Sequence, residues 1–153
     1  MPVQHFMDIA IEEAIKAKDT NDVPVGVVIV RNNEIISKTH NKIQAFNNPL
    51  YHAEIIAINS AIDILKTKYL TDCDIYTTLE PCVMCAGAII LARIRRIYIG
   101  VEDEKSGACG SVINVFRNNR FNHNSEVYFG INEHKCKLLL VDFFKNIRKE
   151  KNI

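Results

Sequence analysis

Residues 74–93, DIYTTLEPCVMCAGAIILAR, contain a change of pattern that indicates the fold. The run from Asp74 to Leu79 is typical of a short strand, and Pro81 then opens a predicted helix that continues through Arg93. Proline is expected in a first helical turn, because its missing N–H would have no partner there in any case. A strand that leads directly into a helix is typical of α/β layer folds.

The same alternation of strands and helices extends over the rest of the chain. Apolar residues at helical spacing predict three more helices, at Val3–Lys18, Ala53–Leu65 and Glu133–Lys149. Apolar and β-branched runs predict four more strands, at Val25–Val30, Ile35–Thr39, Arg96–Val101 and Val127–Ile131. The first two of these strands are joined by turn residues at Arg31–Glu34, which predicts a hairpin. We therefore predict an α/β fold with a mixed sheet.

The composition is that of an ordinary globular protein. The chain has 153 residues, 48% hydrophobic and 24% charged, with no internal repeat and no linker-like tract, so we predict a single domain over residues 1–153. The formal net charge of +1 gives no overall signal for nucleic-acid binding. Phosphate-binding surfaces would have to come from local basic clusters, for which the candidates are Arg93, Arg95, Arg96, Arg117, Arg120, Lys145, Arg148, Lys149 and Lys151. For the tail, Lys145 to Lys151, the alternative is charged helix ends exposed to water.

Targeting signals and cysteine usage bear on the compartment. No segment is long and apolar enough to cross a bilayer. The N-terminal stretch Met1–Ala10 contains Asp8 and lacks the basic and apolar regions of a secretory signal. Five cysteines, an odd number, indicate reduced thiols or metal ligands rather than a disulfide framework. We predict a cytoplasmic protein with no membrane association.

Two short motifs carry residues that bind metals: His52-Ala53-Glu54 and Pro81-Cys82-Val83-Met84-Cys85. Residues three apart on a helix share a face, so Cys82 and Cys85 can bind one metal ion. The free N–H groups and the dipole of a helix N-terminus favour the thiolate form of cysteine. With His52 they make three protein ligands, and catalytic zinc typically keeps its fourth position for water. We therefore predict a Zn²⁺ site at His52, Cys82 and Cys85.

Glu54 is predicted to act on the water rather than to bind the metal. Zinc lowers the pKa of bound water from about 15.7 to about 7, which makes hydroxide available at neutral pH. We predict that Glu54 takes a proton from this water, delivers it to a ring nitrogen of the substrate and later protonates the departing ammonia.

Each part of the motif has an ordinary explanation when it is taken alone. A histidine at a helix start is often a cap, a glutamate in a first turn often serves the helix dipole, and C-x-x-C also occurs in redox motifs and structural zinc sites. A structural zinc site normally needs four protein ligands. The other cysteines are Cys73 before a strand, Cys109 in a loop near the predicted site and Cys136 in the last helix, and we interpret them as free thiols. The combination of H-x-E with P-C-x-x-C favours a catalytic site.

Longer strings around these motifs match a known family. They are His52-Ala53-Glu54-Ile55, the segment TLEPCVMCAGA at residues 78–88, Val23-Pro24-Val25-Gly26, Asn41, residues 103–108 and Asp142-Phe143-Phe144. In these strings, and over nearly its whole length, the chain resembles the bacterial tRNA-specific adenosine deaminases of the cytidine and deoxycytidylate deaminase superfamily. The resemblance implies a three-layer α/β/α cytidine-deaminase-like fold with a five-stranded mixed sheet.

The resemblance also implies an activity and a set of substrate contacts. The activity is hydrolytic deamination of the wobble adenosine of tRNA to inosine, by a homodimer with one zinc ion per subunit that binds the anticodon stem-loop. Asn41 would then hydrogen-bond the flipped nucleotide, Val25 would line the base pocket, Ala53 would be a further substrate contact and Asp103 would contact the anticodon backbone. Asn41 as the end of a strand and Asp103 as part of a solvated turn are the structural alternatives.

Three features depart from the family's pattern. Tyr51 precedes His52 where a small residue is common, the segment 93–96 is unusually basic, and Cys109 is not part of the motif.

The residues alone leave other functions open. A deaminase of free bases or nucleotides, such as guanine, cytosine or dCMP, would use the same metal and Glu54. A non-catalytic zinc-stabilised binding module would give Glu54 no role. A redox protein would leave both His52 and Glu54 unexplained.

Overall fold

The computed structural model describes residues 2–117 and 120–151. Met1, Asn118, Asn119 and residues 152–153 lie outside this description, and so do the parts of the predicted domain and of the Met1–Ala10 segment that fall on them. Within the described residues, no helix combines the length and the apolar character needed to cross a membrane.

Five strands form one mixed sheet in the order β2-β1-β3-β4-β5. They are β1 (Gly26–Arg31), β2 (Glu34–His40), β3 (Cys73–Leu79), β4 (Arg96–Val101) and β5 (Glu126–Tyr128). β1 pairs antiparallel with β2 and β3, whereas the β3–β4 and β4–β5 pairs are parallel. The predicted five-stranded mixed sheet is confirmed.

β1 and β2 form the predicted hairpin through Asn32 and Asn33. Both residues have positive φ, 52° and 64°, as a two-residue type I′ turn requires, and asparagine tolerates this conformation better than most residues. The turn fixes the register in which β2 forms the edge of the sheet.

Four helices cover the two faces of the sheet. They are α1 (Pro2–Lys16), α2 (Ala53–Leu65), α3 (Val83–Ala92) and α4 (Glu133–Lys151). Alternate residues of β1 mark the two layers: Val27 and Ile29 pack with α2 and α3, whereas Val28 and Val30 pack with α1 and with Cys136 of α4. Since β1 lies between two helical layers, it is apolar on both faces. The three-layer α/β/α architecture is confirmed.

Several predicted element ends were wrong. α1 ends at Lys16 rather than Lys18, because the chain tightens into a 3-10 helix, Ala17–Thr20, that ends at the left-handed Asn21. β5 ends at Tyr128 rather than Ile131, and Gly130 has a φ of 82° that an extended strand does not adopt. Cys73 begins β3 instead of preceding it, because it pairs with Arg31 of β1.

Pro81 lies before helix α3 and not in its first turn, which corrects the prediction. Cys82 is the N-cap, with extended backbone angles, and the helix begins at Val83. The reason lies in the neighbouring backbone, because the Glu80 N–H donates to the Val101 carbonyl and the Pro81 carbonyl accepts the Ala108 N–H. These bonds hold the segment in an extended form, and the helix starts only after them.

Candidate active site

The N-termini of α2 and α3 bring the three predicted metal ligands together. His52 is the N-cap of α2, Cys82 is the N-cap of α3, and Cys85 lies in the first turn of α3. The His52 Nδ1 lies 3.7 Å from the Cys82 Sγ and 3.6 Å from the Cys85 Sγ. One ligand atom from each residue therefore faces the same point, all within 4.8 Å of one another.

These distances fit a zinc ion. Tetrahedral zinc, with Zn–N near 2.0–2.1 Å and Zn–S near 2.3 Å, separates a nitrogen ligand from a sulfur ligand by about 3.6 Å. In the described part of the chain the cluster holds these three ligands and no fourth. Cys85 is buried while His52 and Cys82 are half-buried, so the ligand set is that of an open catalytic zinc site rather than a closed structural one.

The electrostatics of the cluster favour metal binding at Cys82. Hydrogen bonds from Cys85 and His52 lower the pKa of Cys82 to about 3, and the same bond to Cys82 raises the pKa of His52. The hydrogen bond with Cys82 also raises the pKa of Cys85. Because a thiolate is the metal-binding form of cysteine, these contacts favour the form of Cys82 that a metal needs.

Glu54 lies beside the cluster but is not part of it. It is only 4% exposed, on the first turn of α2, and burial raises its pKa above the ordinary value. Thr77 of β3 places its Oγ1 3.2 Å from the Glu54 Oε1. A buried carboxyl group that faces the same cleft as the ligands is placed for proton transfer rather than for metal binding.

The cluster opens into a cleft of about 1060 Å³. His52, Glu54 and Cys82 contribute to its lining, and α4 supplies one wall. The other residues of the lining come from the segments beside β1 and β2, from the ends of β3 and β4, from the loop after β4 and from α4: Val23, Val25, Asn41, Ile43, Leu79, Glu80, Val101, residues 102–106, Glu133, His134, Lys137, Leu140, Val141 and Phe144.

Of the four predicted substrate contacts, Val25, Asn41 and Asp103 line this cleft and Ala53 does not. Ala53 is fully buried in the core, and its N–H donates to the Asn41 Oδ1 at 2.8 Å. Asn41 also donates from Nδ2 to the Val23 carbonyl at 3.3 Å, which leaves the second hydrogen of this NH₂ group for a ligand. Asp103 accepts the N–H groups of Lys105 and Ser106 and so forms the turn considered as its structural alternative.

Sequence reasoning missed two parts of the cleft. The α4 wall includes His134, Lys137 and Phe144, of which only Phe144 belongs to a string that had been singled out. Glu80 has no role in the sequence prediction, yet it is 2% exposed and accepts several hydrogen bonds from the loop after β4. A charged residue between a strand and a proline was the available signal.

The three remaining cysteines are buried free thiols, as predicted. Cys109 lies nearest to the site, with its Sγ 3.9 Å from the Pro81 carbonyl oxygen. Burial raises the pKa of Cys109, and its Sγ is not among the ligand atoms that the His52, Cys82 and Cys85 cluster brings together.

The predicted basic clusters differ in how far they are already paired. Arg95 donates two hydrogen bonds of 3.0 Å to Asp74, and Arg96 pairs with both Asp74 and Glu126. Arg93 lies over the ring of Tyr69. The basic residues near the end of α4, by contrast, are all exposed.

Comparisons with known proteins agree with this geometry. The cytidine and deoxycytidylate deaminase zinc-binding region matches residues 2–101. The chain is 48% identical to a tRNA-specific adenosine deaminase of Rickettsia bellii over 91% of this chain and 97% of the relative. It is 41% identical to the tRNA-specific adenosine deaminase of Bacillus subtilis over 95% of this chain and 91% of the relative.

A solved structure from a study of A-to-I editing by tRNA:A34 deaminases at the wobble position of transfer RNA is similar in fold and sequence. It superposes with a TM-score of 0.85 at 40% identity and covers 89% of this chain and 99% of its own. The chain belongs to the zinc-binding cytidine and deoxycytidylate deaminase family and, within it, to the tRNA-specific adenosine deaminases.

Proposed function

We propose that this enzyme hydrolytically deaminates the wobble adenosine of a tRNA anticodon to inosine. The observation that carries the proposal is the open three-ligand site, with Glu54 beside it, in a cleft of about 1060 Å³. This volume is at the upper end of the roughly 300–1,000 Å³ typical of small-ligand sites. Its walls reach α4 and the loop after β4, which gives room for nucleotides on either side of a flipped base.

Each residue of the site has a role in the proposed reaction. His52, Cys82 and Cys85 would hold Zn²⁺, which when bound supplies a water molecule acidic enough to act as a nucleophile near neutral pH. Glu54 takes a proton from that water and delivers it to N1 of adenine, as a new C6–O bond forms. Glu54 then takes the second proton, from the new C6 hydroxyl group, and delivers it to the exocyclic nitrogen, so the C6–N bond breaks, a C6=O bond forms and ammonia leaves.

Substrate contacts are proposed for three residues of the cleft. Asn41 offers the remaining hydrogen of its amide to the flipped nucleotide, and Val25 lies beside it as an apolar wall. Asp103 lies on the loop that faces the flanking backbone. Because the Ala53 side chain is buried in the core, the predicted contact of Ala53 has less support.

We propose a homodimer whose interface is the exposed face of α3. Val83 and Leu91 are 60% and 78% exposed on this face, and Gly87 lies between them at four-residue spacing with open space around it. Val112 and Ile113 add exposed apolar area, and the 3-10 helix Val115–Arg117 that follows them contacts α3. An apolar patch of this kind marks an interaction surface, and it begins next to Cys82.

The single domain over residues 1–153 and the cytoplasmic location remain proposals. One sheet and its helical layers account for the described residues. The five free thiols suit a reducing compartment.

The test is a deamination assay with an anticodon stem-loop that carries a wobble adenosine. Inosine is measured beside ammonia release from free adenosine, guanine, cytosine and dCMP. We expect inosine in the stem-loop, and Glu54→Gln should lower the rate at least about 100-fold because the proton transfer is lost, with zinc still bound.

Glu13→Gln is the matched control, because Glu13 is equally buried but lies on α1 outside the cleft. It should retain most of the activity. If ammonia were released only from a free base, the zinc chemistry would be supported, but tRNA would be excluded as the substrate. Zinc binding without any turnover would favour a binding module.

A further inference from the structure

The carboxylate of Glu80 is buried, and its hydrogen-bond donors in the described structure all lie in one loop. Its Oε1 accepts the Asp103 N–H at 3.0 Å and the Ser111 hydroxyl. Its Oε2 accepts the Cys109 N–H at 2.9 Å and the Ser111 N–H at 3.1 Å. The donors span residues 103–111, which we call the rim loop. An ionised carboxylate has acceptor sites for all four donors, whereas a neutral amide side chain has not.

The backbone of the rim loop lies in close contact with this carboxylate. A Cβ atom at Gly107 would collide with the carboxylate of Glu80, so the loop backbone passes directly over it. The next residue, Ala108, donates its N–H to the Pro81 carbonyl at 2.9 Å. Glu80 and Pro81 precede the ligand Cys82, and therefore the rim loop and the metal-binding segment are joined at adjacent residues.

The rim loop also forms part of the substrate cleft. Residues 103–106 line the cleft, and the Asp103 carboxylate accepts the N–H groups of Lys105 and Ser106. Asp103 therefore joins this turn to Glu80, which accepts the Asp103 N–H at 3.0 Å. Any displacement at Glu80 is thereby passed to the cleft wall.

We propose that Glu80 is a positioning residue that fixes the rim loop relative to the metal-binding segment and thereby sets the shape of the cleft for tRNA. The hydrogen bonds of the Glu80 side chain go to the rim loop and not to the ligand atoms of the metal site, so it acts through the loop. The proposal rests on the proposed function, because it names how the same site holds its substrate.

Glu80→Gln is the primary test, and the geometry predicts which contact fails. The Gln oxygen can keep the Cys109 and Ser111 N–H groups, and its NH₂ group can donate to the Ser111 hydroxyl. The Asp103 N–H then faces an NH₂ group and loses its acceptor. We expect KM for the stem-loop to rise about tenfold, since a bond to a charged acceptor is lost, while kcat stays within about threefold and zinc content is unchanged.

Amide hydrogen exchange of the protein alone supplies a readout that needs no RNA. Exchange should accelerate in residues 103–111 of Glu80→Gln, while the first turns of α2 and α3 keep their protection. Gly107→Ala is a second variant that pushes the loop off an intact carboxylate, and it should give the same pattern. Ser111→Ala removes only the hydroxyl donor and should change KM less than about threefold.

Asp74→Asn is the matched control, because Asp74 is a buried carboxylate near the other end of β3. It should lower stability without changing KM. Unchanged exchange in the rim loop of both Glu80→Gln and Gly107→Ala would overturn the proposal, and so would faster exchange with an unchanged KM. If the wild-type enzyme did not deaminate the stem-loop, the proposed function would be excluded. The exchange data would still decide whether Glu80 fixes the position of the loop.

Discussion

At the scale of single residues, the position of Glu54 depends on a hydroxyl group of the neighbouring strand. Thr77 is fully buried, and its Oγ1 lies 2.8 Å from the Leu79 carbonyl oxygen and 3.2 Å from the Glu54 Oε1. A hydroxyl group has one hydrogen, so it cannot donate fully to both acceptors. Thr77 can therefore donate to Leu79 and accept from Glu54 whenever Glu54 carries a proton.

Thr77→Val tests this contact, since valine keeps the shape and removes the hydroxyl group. We expect kcat to fall about 5- to 30-fold, which corresponds to about 1–2 kcal/mol for one buried hydrogen bond at the proton-transfer group. Zinc content and KM should stay near the wild-type values, as measured by metal analysis and steady-state kinetics.

Thr78→Val is the control for this prediction. The Thr78 Oγ1 accepts the Gly26 N–H at 3.0 Å, so its loss removes a comparable bond that does not involve Glu54. If both variants lost kcat equally, the effect would come from the stability of β3 and not from the position of Glu54.

The chemistry at this scale was predictable where it lies in contiguous motifs. The sequence predicts that His52, Cys82 and Cys85 meet at one point with Glu54 beside them, because their spacing has a direct meaning at a helix start. Glu80 could not be assigned, because its donors lie in a loop more than twenty residues later in the chain. Thr77 likewise contacts Glu54 only once the fold places the end of β3 beside the first turn of α2.

At the scale of elements, the sequence predicts which helices and strands exist better than where they end. The strand β1 can be predicted from the local pattern alone, because its residues are apolar on both faces. The start of α3 does not, because it is decided by the bonds of Glu80 and Pro81 to Val101 and Ala108. These tertiary bonds override the ordinary preference of proline for a first helical turn.

The packing of α1 on β1 gives a prediction for Gly26. A Cβ atom there would collide with the Ala10 carbonyl and the Ala14 amide nitrogen of α1, which are backbone atoms and cannot rotate away. Gly26→Ala should therefore lower the free energy of unfolding by about 1–3 kcal/mol, which is a fall in Tm of about 3–10 °C for a chain of this size. Thermal denaturation measures it, and a Tm equal to that of the wild type would mean that α1 does not pack this closely.

At the scale of the whole molecule, the apolar residues that remain exposed on the surface could not be predicted from the sequence. Only the resemblance implied a homodimer, because an apolar residue in a helix is usually buried in the core. Leu91 lies in an apolar helix and yet is 78% exposed, and this is visible only once α3 is placed on the sheet. Leaving so much apolar area in water is unfavourable, by about 25 cal/mol for each Å² that a partner could cover.

Leu91→Asp should therefore separate the proposed homodimer, because it places a charge within an apolar interface. Sedimentation equilibrium should give the wild type twice the chain mass of 17.4 kDa, or 34.8 kDa, and the variant 17.4 kDa. Ile15→Asp is the control, because Ile15 is 49% exposed on α1 in the opposite helical layer. Activity should fall with Leu91→Asp, since the apolar face begins at Val83, next to the ligand Cys82. A variant that stays dimeric would exclude this face of α3 as the interface, and a wild type of 17.4 kDa would exclude the dimer itself.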